Sequence, residues 1–162
     1  MKIGIDCRLW NETGVGRYVR NLVDQLLKID KKNTYILFVQ SKDYEQINSQ
    51  CSRFNVQLVK VDIRWHSLEE QVKFPKLLEK EHLDLMHFPY FSVPIRYKRP
   101  FVITIHDLIL HHFGTGKAST LPAPLYKLKH AGYKYVLSQA AKHAQTIIVP
   151  LETVKKDVMG TL

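Results

Sequence analysis

Six short apolar runs are spaced along the chain: KIGIDC (2–7), TYILFV (34–39), NVQLVKV (55–61), LDLMHF (83–88), FVITIH (101–106) and TIIVP (146–150). Each has the length of a strand. They are continuously apolar rather than alternating, the pattern of strands buried on both faces. Between them the spacing becomes helical. In the clearest case Val15, Tyr18, Val19, Leu22, Val23 and Leu26 share one face, and Lys28, Asp30 and Lys31 close the end. A second helical pattern, 68–81, is expected to be interrupted at Pro75. A third runs from Pro124 to His143, and a fourth starts near Glu152. Strands alternating with helices predict a doubly wound α/β domain, with a mainly parallel sheet covered by helices on both faces. Residues 1–162 form one such domain, without internal repeat, low-complexity tract or linker.

Ligands of an open α/β sheet bind beyond the carboxyl ends of its strands, so residues there carry the chemistry. Gly14 and Gly16 follow the first strand and open the first helix. Without Cβ atoms, such a turn can bring backbone N–H groups and the positive helix end close to a phosphate. A tight turn with no ligand has the same spacing. The dinucleotide fingerprint is not met, because Val19 stands where the third glycine belongs and no acid ends the second strand at Val39-Gln40-Ser41. TIHDL places His106 and Asp107 at the end of the fifth strand. An imidazole there can donate to a sugar hydroxyl or a developing charge, with the acid fixing its tautomer, or the pair can simply cap the strand. His87, Phe88, Tyr90 and Phe91 follow the fourth strand, as core and rim packing or as a surface for stacking a sugar.

Composition narrows the classes. The 162 residues are 45% hydrophobic and 24% charged, which describes a globular chain of one domain's size. No apolar run reaches the roughly 20 residues needed to cross a bilayer, and MKIGIDC has no signal-peptide pattern. Cys7 and Cys51 are expected to be free thiols in a reducing, cytoplasmic setting. His111 and His112 are adjacent and point apart, so no metal site is expected. GTGKAST (114–120) lacks the spacing of a phosphate loop. The net charge of +9 favours an anionic partner, but no nucleic-acid-binding pattern is present, so nucleic acid is not expected. Within 121–144, Lys127, Lys129, Lys134 and Lys142 interleave with Leu125, Tyr126, Leu128, Tyr133, Tyr135 and Val136. With Lys117 they would form a surface for anionic lipid if the apolar residues face outward, and an ordinary covering helix if they face the sheet.

Five blocks in order, IGIDCRLW…TGVGRYVRNLVDQLL, WHSLEEQVKFPKLL, DLMHFPY, RPFVITIHDL and AQTIIVPLETVKKDV, resemble the N-terminal half of a GT-B glycosyltransferase of family 4. The resemblance covers nearly the whole chain. It implies transfer of a sugar from a nucleotide-sugar donor to an acceptor hydroxyl, a hexosyltransferase-type reaction with retention at the anomeric carbon and without metal or other cofactor. It makes this the acceptor-side, Rossmann-like domain, facing a C-terminal nucleotide-sugar domain across a cleft. Partners would be the donor, a glycan or lipid-linked acceptor of polysaccharide or glycolipid biosynthesis, and an anionic membrane surface at the inner face. His106 would be catalytic. Gly14, Gly16, Arg17, Asp107, His87 and Tyr90 would bind donor or substrate. The chain departs from the family at Pro150-Leu151-Glu152, where leucine replaces a small hydroxyl residue, and it lacks the paired glutamates that grip the nucleotide. Alone, this half is expected to fold without turning over. The alternative is a non-catalytic membrane-docking or anion-binding module.

Overall fold

The computed structural model describes residues 1–113 and 122–162. Its elements run β1 (Lys2–Asp6), α1 (Gly14–Ile29), β2 (Thr34–Val39), α2 (Tyr44–Cys51), β3 (Val56–Lys60), α3 (Leu68–Lys80), β4 (Leu85–Phe88), β5 (Phe101–Thr104), α4 (Ile109–His112), α5 (Ala123–His143), β6 (Thr146–Ile148) and α6 (Glu152–Thr161). All six strands are parallel, in the order β3-β2-β1-β4-β5-β6. The chain therefore winds outward from β1 in one direction and from β4 in the other, and the crevice between these two strands is where such a sheet takes ligands.

Alternation along the strands divides the core into two layers. Ile5, Tyr35, Leu37 and Val39 meet Val19, Val23 and Leu27 of α1 and Ile47 and Cys51 of α2. On the other face Ile36, Phe38, Met86, Phe88 and Ile103 meet Phe74 and Leu78 of α3, Leu137 and Ala140 of α5 and Val158 of α6. The doubly wound α/β fold expected from the apolar runs is the fold observed. Both cysteines are free and buried.

Two elements differ from the sequence reading. α3 runs unbroken through Pro75, which is buried with Phe74 and Leu78. An internal proline costs a helix about 3 kcal/mol, and burial of that apolar face offsets it. α2 had no expectation attached to it, because only Ile47 and Cys51 of its eight residues are buried. Leu151, at the family departure, is the N-cap of α6 and caps no backbone N–H with its side chain.

Candidate active-site edge

The site is built where β1, β4 and β5 end. α1 starts at this edge with no side-chain cap and no acid in its first turn, so its positive end is left open. Gly14 is exposed, and a Cβ added there would meet nothing within 4 Å. Gly16 is different. It is buried, and a Cβ would stand 2.7 Å from the Leu9 carbonyl oxygen and 2.5 Å from that of Trp10. Its missing side chain is accounted for by the protein's own backbone, leaving Gly14 as the glycine open to a ligand. Arg17 is exposed, and among the described residues its guanidinium has no hydrogen-bond or ion-pair partner.

One turn further along α1, the Tyr18 ring stands edge-on to His106, with centroids 4.9 Å apart. That contact puts the first turn of α1 beside the end of β5. His106 Nε2 lies 3.0 Å from the Pro89 carbonyl oxygen. A carbonyl only accepts, so Nε2 carries the hydrogen, and Nδ1 is left without a partner among the described residues. The neutral ring thus offers an acceptor at Nδ1, and it donates there only as imidazolium. Asp107 was expected to fix this tautomer and does not. Its Oδ1 accepts from the backbone N–H of Ile109 at 3.0 Å, capping α4, and the Pro89 carbonyl holds the imidazole instead.

His87 also departs from expectation. Only 5% exposed, it lies in the layer beneath α1, and its Nε2 is 2.9 Å from Thr104 Oγ1, which is 3.1 Å from the Tyr18 hydroxyl. Burial holds His87 down at about 4, with His106 adding to the effect and Asp6 opposing it. A neutral, enclosed His87 supports Thr104 and Tyr18 rather than touching a ligand directly. Tyr90 is half-buried, with its ring 6.3 Å from His106 and 4.1 Å from Phe91. Burial pushes its phenol up, and Asp107 adds to this. Phe88 and Phe91 belong to the core, whereas Trp65 extends the aromatic wall through its contact with Tyr90 at 6.4 Å.

Sequence reasoning missed a buried ion network behind this wall. Arg8 Nη2 lies 2.6 Å from both Asp6 Oδ2 and Glu70 Oε1. Its Nη1 donates to the Ile63 carbonyl at 3.1 Å, and its guanidinium covers the Phe74 ring at 4.0 Å. Burial opposes the Arg8 charge, yet Asp6 and Glu70 raise its pKa above the usual value. Burial pushes Glu70 up, against Arg8 and Ser92. The Ser92 hydroxyl, the His66 N–H and Arg8 all donate to the Glu70 carboxyl oxygens. The local signals were Asp6-x-Arg8 after β1 and Ser67-x-x-Glu70, whose serine caps α3 through the Glu70 N–H at 3.1 Å.

Leu137 of α5 is buried against the sheet, but the two leucines nearer its start face outward. Leu125 and Leu128 are 53% and 71% exposed, and Tyr135 is 56% exposed, beside exposed Lys127, Lys129 and Lys134. Lys117 and GTGKAST lie outside the described residues. Among the described residues no helix is long and apolar enough to cross a membrane.

The family model described as Glycosyltransferase Family 4 matches residues 13–162. The chain belongs to glycosyltransferase family 4. No curated protein matches it significantly. Membership gives this family 4 domain a glycosyltransferase role, with a sugar donor and an acceptor as partners in general. The candidate edge carries an open helix end and an imidazole nitrogen without a partner among the described residues.

Proposed function

We propose that this domain is the acceptor-side half of a retaining, hexosyltransferase-type enzyme that takes its sugar from a nucleotide sugar. The observation that carries the reading is the Tyr18–His106 contact, which sets the open first turn of α1 beside the imidazole. A diphosphate at that turn gains from the helix dipole and from Arg17, so charge on the departing nucleotide is offset where it develops. His106 Nδ1, free as an acceptor, holds a hydroxyl of the donor sugar against that turn. Gly14 leaves room for the phosphates, Asp107 fixes the loop after His106 through α4, and Tyr90 backs the ring.

The edge is an open wall rather than a closed pocket. Two hollows lie elsewhere, one lined by Asp30 and Arg53 and one by Val93 and Gln139. Transfer on this reading needs a nucleotide-sugar domain opposite, and the acceptor is a glycan or a lipid-linked glycan. The basic, exposed start of α5 supports docking on an anionic membrane, which this reading puts at the cytoplasmic face. No Asp or Glu stands between Asp107 and Glu152, and the leucines beside its lysines are exposed.

A mass-spectrometric screen against nucleotide sugars and glycan acceptors tests this, run on the chain alone and on the chain joined to a nucleotide-sugar-binding domain. Transfer only by the joined protein, lost on His106→Ala, is expected. Transfer by the chain alone, or by the joined protein regardless of His106, overturns the reading.

A further inference from the structure

The loop that holds His106 packs into the core through Phe91 and is pinned by side chains of another element. Among the described residues, none from Pro89 to Ser92 makes a main-chain to main-chain hydrogen bond outside the strand ladder, although this segment supplies the carbonyl that accepts from His106 Nε2. Side chains of α3 fasten it from outside. Glu70 Oε2 accepts from the Ser92 hydroxyl at 2.6 Å. The next residue, Gln71, donates to the Val93 carbonyl at 3.3 Å and accepts from the Ile95 N–H at 2.9 Å. Glu70 is fully enclosed, and its other oxygen is fixed by Arg8, itself 2% exposed and clamped to Asp6 at the end of β1.

We infer that Glu70, anchored by Arg8, is a positioning residue for His106. It sets the imidazole's tautomer by fixing, through Ser92, the loop whose Pro89 carbonyl accepts from Nε2. A carbonyl displaced by half an ångström or more leaves good hydrogen-bond range, and the neutral imidazole then has no reason to keep its proton on Nε2. The nitrogen left bare would no longer be Nδ1 alone, and the acceptor it presents would be lost in proportion. The tautomer assignment stands on this geometry. Its use in sugar transfer rests on the function proposed above.

Nitrogen NMR of the histidine-labelled chain reads the ring directly, with the His106 signals identified by their loss in His106→Gln. In its neutral form the His106 ring of the native chain should show a single Nε2–H tautomer. Ser92→Ala removes the link to Glu70 and should raise the Nδ1–H fraction several-fold while thermal unfolding stays cooperative. Ser92→Thr keeps the hydroxyl and should restore the native pattern. Should the alanine variant not fold, Ser92→Cys, similar in size with a weaker donor, is expected to show the same loss. An unchanged single tautomer in a folded Ser92→Ala or Ser92→Cys chain overturns the inference. A joined enzyme that transfers sugar with its tautomer unmoved by Ser92→Ala rejects this inference alone. A tautomer that moves in a protein without transfer rejects only the proposed activity.

Discussion

His106 donates from Nε2 to the Pro89 carbonyl oxygen at 3.0 Å, so a backbone group of the β4–β5 connection, and no carboxylate, orients the imidazole at the end of β5. This fixes which nitrogen is free. It also separates His106 from Asp107, its neighbour in sequence, whose carboxylate caps α4.

Replacing His106 by alanine in a protein that joins this domain to a nucleotide-sugar domain should lower kcat by about 10²-fold or more, with a smaller change in KM. Steady-state kinetics with saturating donor checks this. An unchanged kcat returns His106 to a purely structural place at the strand end.

The two glycines at the start of α1 should behave oppositely. Gly16→Ala puts a Cβ 2.5 Å from a backbone oxygen that cannot swing away, and should cost about 3 kcal/mol, with Gly16→Val worse. Gly14→Ala meets nothing and should be neutral or gain up to about 1 kcal/mol in helix propensity. Urea denaturation of the three variants decides, and equal tolerance at both positions would refute the packing argument.

Buried His87 should make stability pH-dependent. Its pKa is held at about 4 in the fold, against about 6.5 for an unperturbed ring, so the unfolded chain binds the extra proton between those values. Stability is then fully present above pH 6.5 and falls as pH drops toward 4, by about 3 kcal/mol from this residue. His87→Gln should remove that part of the slope. Melts of both proteins across this pH range measure it, and parallel curves would exclude His87 as the source.

Leu151 occupies the N-cap of α6 with 62% of its surface exposed and no side-chain bond to the helix. Leu151→Ser supplies the missing acceptor and loses little burial, so it should raise stability by about 1 kcal/mol. Chemical denaturation checks it, and a loss of stability would show that the leucine packs after all.

How much of this was legible in the sequence depended on whether the signal was local. The strand runs announced themselves through continuous apolar stretches, because a sheet covered on both faces needs them, and β2 is buried along five of its six residues. α2 escaped notice because it covers the sheet near its edge with two buried residues. Gly14, Arg17 and His106 were found at the edge because strand ends and helix starts are visible locally. His87 was placed at the correct strand end, but the sheet turns it under α1, and no local pattern says which way a strand's last residues face. The Arg8–Glu70 pair spans 62 positions, so its partnership exists only once β1 and α3 are packed.

The last expectation concerns α5. α5 covers the sheet through buried Leu137 and Ala140, whereas Leu125 and Leu128 nearer its start are exposed, as is Phe113 at 71%. Half-buried Tyr126, His130 and Tyr133 stack on one another with ring planes 15° and 12° apart, while His130 Nε2 donates to the Leu110 carbonyl at 3.0 Å. The outward face therefore combines Lys127, Lys129 and Lys134 with leucines free to enter a headgroup layer. Each lysine near an anionic surface contributes about 1 kcal/mol, enough in sum for reversible attachment and too little for permanent insertion. Co-sedimentation with vesicles should rise with the content of anionic lipid and fall as salt screens the lysines. Changing the three lysines to glutamate should abolish it, and Leu128→Ser should weaken it at unchanged charge. No binding to strongly anionic vesicles at low salt would remove the membrane from the account of this domain and leave α5 as a covering helix with a solvated lysine face.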